Sequence, residues 1–87
     1  MSLLSRLFGK APAPEPVLHK GCRIFVLPIK EASGFRVAAR IEKEVGGVVK
    51  VHQLIRSDVI PSLDEAKEIT LGKAKLVIDQ LGDSLFQ

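Results

Sequence analysis

The sequence predicts an α+β domain: a three-stranded antiparallel meander followed by one long C-terminal helix packed on one face of the sheet, in the order βββα. Three features carry this expectation. Phe35, Val37, Ala39 and Ile41 alternate with Arg36, Ala38 and Arg40, the period of two of a half-buried strand. Gly46-Gly47 follows closely and marks a hairpin. Ser62-Leu63-Asp64-Glu65 is a capping box that opens a run of apolar residues at helical spacing.

The elements follow in chain order. Leu3, Leu4, Leu7 and Phe8 form a single apolar stripe if residues 2–8 wind as a helix. So short a helix needs a surface to lie on, either another protein or an anionic membrane. Lys10 to Pro16, with prolines at positions 12, 14 and 16, is an extended linker. The chain thus divides into an N-terminal segment and linker, 1–16, and a domain, 17–87. Strand one spans residues 17–29 around Ile24-Phe25-Val26-Leu27, and Pro28 ends it or confines it to an edge because proline lacks an N–H. Ala32-Ser33-Gly34 turns the chain into strand two, residues 35–45.

Strand three covers residues 48–57, and its register depends on the hairpin. A two-residue Gly-Gly loop pairs Ile41 with His52 and puts Lys50, His52 and Arg56 on the buried face. A three-residue loop with a glycine bulge pairs Ile41 with Val51 and Val37 with Ile55, and sets Glu42 opposite Lys50 outside. The bulged hairpin is the expected one, with Gln53 pointing inward as its one polar blemish. The helix then runs over 63–81, with Ala66, Thr70, Ala74, Val77 and Leu81 inward, flanked by Ile69 and Ile78. Gly82 is its stop.

Eighty-seven residues allow one domain, 46% hydrophobic, with four Phe and no Trp or Tyr, so aliphatic side chains build the core. The single Cys22 excludes an internal disulfide framework and a cysteine-rich zinc site, and suits a reducing compartment. No apolar run approaches the ~20 residues of a membrane span, and the start lacks a secretory pattern, so the cytoplasm is the expected compartment. No catalytic, metal or cofactor site emerges. His19 and His52 lie on different strands, Cys22 reads as a small buried residue, and the glycines match no phosphate-binding loop.

The outer face of the sheet is the candidate site. In the bulged register it presents Arg36, Arg40, Lys50, His52 and Arg56, joined by Arg23 if Cys22 and Ile24 point inward. An arginine-rich sheet face can track a DNA phosphate backbone, and the net charge of +3 permits an anionic partner.

Several segments resemble one known family. They are the opening Met-Ser-Leu-Leu-Ser-Arg-Leu-Phe-Gly, the Pro-rich spacer, Lys20 to Ile24, Gly34 to Ile41, His52 to Asp58 and Lys73-Ala74-Lys75. Together they resemble the small proteobacterial HlyU family, named for a transcriptional activator, over nearly the whole chain. The resemblance implies a regulator of transcription. The chain has one long helix and no helix-turn-helix, so DNA contact is expected from the sheet. The alternative is an adapter that binds a protein or a membrane surface through Leu3, Leu4, Leu7 and Phe8. A third possibility is self-association through the free edge of strand one or three.

Overall fold

The computed structural model describes residues 15–87. The stripe of Leu3, Leu4, Leu7 and Phe8 and most of the Pro-rich linker lie outside the described residues. The class is α+β as expected, but the sheet has five strands rather than three. These are β1 (Val17–His19), β2 (Cys22–Val26), β3 (Ile29–Glu31), β4 (Gly34–Val45) and β5 (Val48–Ile60), followed by α1 (Leu63–Leu81) and a 3-10 turn (Gly82–Phe86).

The difference in strand count has two local causes. Lys20-Gly21 folds β1 back on β2, with Val17 beside Ile24 and His19 beside Cys22. Pro28 then interrupts the expected first strand. The Leu27 N–H still donates to the Ala38 carbonyl at 3.0 Å, but proline cannot continue the ladder. The strand resumes as β3 along the same edge of β4. β4 is therefore central, flanked by β2 and β3 on one side and by β5 on the other.

The expected bulged hairpin is corrected by the observed register. Val45 pairs with Val48, Ile41 with His52, Ala39 with Leu54 and Ala38 with Ile55. Gly46 and Gly47 have φ of 58° and 81°, so both central residues of the two-residue loop are left-handed. That is the primed turn whose twist matches the flanking strands, and glycine adopts it without steric cost. Leu54 thereby enters the core and Gln53 stays exposed, removing the inward glutamine of the bulged alternative. The irregularity lies farther along. Between the Ala38–Ile55 and Arg36–Val59 pairs, β5 carries three residues against one on β4. Beyond it, Gly34 begins β4 so close to β5 that a Cβ there would sit 2.5 Å from the Ile60 carbonyl oxygen.

The helix matches its expected bounds, and Ser62 Oγ accepts from the Glu65 N–H at 3.3 Å. Ala66, Thr70, Ala74, Val77 and Ile78 are buried, whereas Leu81, expected inward, is exposed. The core joins Cys22, Ile24, Ala39, Ile41 and Leu54 of the sheet to Ala74, Val77, Ile78 and Leu85 of the helical layer. Each large aliphatic buried there contributes roughly 1.5–3 kcal/mol. Ion pairs fasten the same layers at their rims, Lys43 to Asp83 and Lys20 to Asp79 at 2.8 Å and Lys73 to Asp58 at 3.2 Å, and His19 Nε2 hydrogen-bonds the Asp79 carboxylate at 2.8 Å. The described residues make a slab of 37 × 34 × 17 Å, one sheet and one helix thick. One face of the sheet carries the helix. The other carries no element among the described residues.

Candidate functional site

The uncovered face is set by the alternation of β4. Its even-numbered residues, Arg36, Ala38, Arg40, Glu42 and Glu44, point away from the core residues Ala39 and Ile41. Cross-strand neighbours share a face. Ile29, Phe25 and Arg23 therefore stand outward on one side of β4, and Val59, Ile55, Gln53, Val51 and Val49 on the other. Leu18, paired with Arg23, extends the face onto β1.

The structure brings Arg23, Arg36 and Arg40 together on this face, as expected. Lys50 and His52 are not there. They pair with Lys43 and Ile41 and so project to the helix side, His52 half-buried and Lys50 exposed beside Asp83 and Phe86. Arg56 lies in the irregular stretch of β5, exposed, and meets the arginine group only through its backbone carbonyl, which accepts from Arg36 Nη1 at 3.1 Å. The expectation of six basic groups on one face is corrected by the register. α1 does not cover the hairpin end, so charged residues there can face the helix side at its rim without being buried.

The three outward arginines are already engaged. Arg36 grips Glu31 with two nitrogens, one contact being Nη2 to Oε1 at 2.9 Å. This hydrogen bonding holds the Glu31 carboxyl below the usual carboxylate range and raises Arg36. Arg40 contacts Glu42 at 2.8 Å, and Arg23 contacts the other oxygen of the same carboxylate at 3.4 Å. The Arg40 guanidinium also lies 5.1 Å from the centre of the Phe25 ring, within cation–π range. Arg23, Arg36 and Arg40 are balanced on this face by Glu31, Glu42 and Glu44, so its net charge is zero. Of the 13 Lys and Arg in the chain only Arg6 and Lys10 precede Glu15, whereas all 10 Asp and Glu fall from Glu15 onward; the described residues carry a net +1.

Between the charges the face is apolar. Leu18 is 73% exposed, Ile55 56%, and Val49 and Val51 51% each. Ala38, buried though it points outward, floors an open pocket of about 230 Å³ walled by Leu27, Ile29, Arg40, Gln53 and Ile55. That volume is below the ~300–1,000 Å³ of small-molecule sites and suits a single side chain. The lysines segregate completely. Lys43, Lys50, Lys20, Lys73, Lys67, Lys75 and Lys30 lie on the helix side, at its rim or on α1, and none of the described lysines is outward. Arginine and aromatic enrichment with lysine depletion marks the core of protein–protein interfaces.

A family model described as transcriptional activator HlyU matches residues 2–86. The chain belongs to the HlyU family. The HlyU model spans the opening segment and the domain alike. No curated protein and no solved structure matched the chain. Among the described residues of this HlyU-family chain no helix is long and apolar enough to cross a membrane, and no group of three His, Cys, Asp or Glu side chains is placed to hold a metal. Cys22 is buried, and that burial pushes its thiol up, away from the reactive thiolate.

Sequence reasoning missed the apolar half of the face. It drew Val51 and Ile55 inward through the wrong register and set Glu42 against Lys50 rather than against Arg23 and Arg40. Arg40 and Glu42, two apart on one strand, must share a face, and that spacing was a legible signal of self-neutralisation.

Proposed function

We propose that this HlyU-family protein regulates transcription as a non-catalytic docking module, meeting another protein surface through the outer face of its sheet. One observation carries the reading: a face of zero net charge, with all its arginines paired and an uncovered apolar surface between them. Contiguous exposed apolar surface rimmed by polar groups is the mark of a macromolecular contact. A phosphate-tracking surface needs uncompensated cations, because its affinity comes from displaced counterions.

The test is the set of transcripts that change when the gene is deleted. Restoring the gene as Ile55→Asp, a change at a surface position, leaves those transcripts at the deletion level if the outer face is the working surface. Lys50→Glu on the helix side restores them. Full restoration by Ile55→Asp would remove the outer face from the account.

Direct DNA contact is the second reading, favoured by the grouping of Arg23, Arg36 and Arg40. On that reading Arg36→Ala with Arg40→Ala weakens duplex binding and flattens its salt dependence.

A further inference from the structure

The proposed docking face also suggests which surface docks on it. Face-to-face sheets pack with strands roughly aligned, ~30° apart. Four strand positions at ~4.8 Å and a strand of twelve residues give a footprint of at most ~750 Å². A standard interface takes ~800 Å² from each partner. One complete outer face is thus about the size of one interface.

The pattern along the face is self-complementary. Consider a twofold axis between two stacked sheets, crossing the strands at the level of Arg40. It lays β4 antiparallel over its counterpart and exchanges positions equidistant from Arg40. Arg36 then falls opposite Glu44 of the partner subunit, an exposed carboxylate in no ion pair among the described residues. Val51 falls opposite Ile55 of the partner subunit, and Phe25, level with Arg40, falls opposite Phe25 of the partner subunit. The two Arg40 side chains that meet at the axis are each held by Glu42 and stacked on Phe25, so neither brings an uncompensated charge into the contact.

We infer that the occupant of the outer face is a second copy of this chain, forming a twofold sheet-on-sheet dimer with the helices outermost. The inference rests on the docking reading of the same face and names its partner. Symmetry supports it, since a twofold interface requires attractive groups to be present in exchangeable pairs on one surface. Here Arg36 with Glu44 and Val51 with Ile55 are such pairs.

Sedimentation equilibrium of the full chain over a concentration series tests it. The wild type is expected to pass from monomer to dimer, and Ile55→Asp to raise the dissociation constant more than ~tenfold by placing a carboxylate in the apolar contact. Arg36→Glu and Glu44→Arg each weaken the dimer, and the two together recover it. Repulsion between Glu31 and a carboxylate at position 36 is present in both the single and the double variant and cancels in that comparison. A wild type that stays monomeric overturns the dimer but not the docking reading, which the transcript test decides separately. A dimer indifferent to Ile55→Asp, or a charge exchange without recovery, also overturns it and moves the contact to the β5 edge or to residues 2–8.

Discussion

On the helix side of the sheet, Lys20, Lys43 and Lys73 reach aspartates on other elements and rivet the two layers at their margin. On the outer side, Arg23, Arg36 and Arg40 reach glutamates on the same or the adjoining strand, and no second layer is attached. Away from the hairpin tip, where Val45 and Val48 are exposed on the helix side, the aliphatic residues divide in the same way. Ile24, Ile41 and Leu54 are buried beneath α1, while Val49, Val51 and Ile55 stand half or more exposed on the reverse of the same sheet. One sheet thus has a face that is largely finished within the domain and a face whose arginines are paired but whose apolar surface is uncovered. The lesson is that an arginine-rich strand face need not be a cationic one.

The largest contrast should appear on truncating matched isoleucines. Ile41, fully buried beneath α1, should cost ~2–5 kcal/mol as Ile41→Ala. Ile55→Ala on the outer face should cost less than ~1 kcal/mol in urea unfolding of the dilute chain. Equal losses would mean that the outer face is covered within the monomer and would break the comparison.

A smaller effect sharpens the helix side. Thr70 is fully buried with its hydroxyl unpartnered, so its desolvation is uncompensated. Thr70→Val should raise stability by ~1 kcal/mol, seen as a higher urea midpoint with unchanged slope. A loss would show that the hydroxyl has a partner in solution, such as the carbonyl one turn back.

The smallest effect compares the carboxylates of the two sides. Hydrogen bonds from Arg36 lower Glu31, and hydrogen bonds from Lys20 and His19 lower Asp79. A carboxyl depressed in the folded state contributes stability that is fully present above the ordinary carboxylate range. It is lost as pH falls through the depressed value. Glu31→Gln and Asp79→Asn should each flatten the acid limb of the melting temperature and leave the trend between pH 6 and 8 unchanged. Glu31 keeps 31% and Asp79 41% of its side chain in contact with solvent, so the changes should be modest and should shrink further in high salt.

Much of this architecture was legible in the sequence. The capping box and glycine stop bounded α1, and the alternation of residues 35–41 identified β4 and its inward face. The register of β5 was not legible. Val49, Val51 and Ile55 share one face and Lys50, His52 and Arg56 the other, so the alternation by itself favours the phase that turns the valines inward. Keeping Lys50, His52 and Arg56 off the buried face, with an attractive Glu42–Lys50 pair worth a few tenths of a kcal/mol besides, pointed to the bulged hairpin. That preference was outweighed by the fit of Leu54 into the core and of two glycines into a primed turn. That single slip moved Lys50 and His52 to the helix side and Val51 and Ile55 to the outside, turning an expected cationic face into a neutral, apolar one. Pro28 announced a strand end, but its continuation as β3 depended on β4 being long enough to hold both pieces.

The most direct test of the central claim, that the outer face meets protein rather than phosphate, is an amide chemical-shift titration of the full chain with a mixed-sequence DNA duplex at low salt. The expected result is no cluster of shifts at Arg23, Arg36 and Arg40 or at their cross-strand neighbours Phe25, Gln53 and Val59. Shifts gathered on those residues and weakening as salt is added would contradict it and make the outer face a DNA-binding surface.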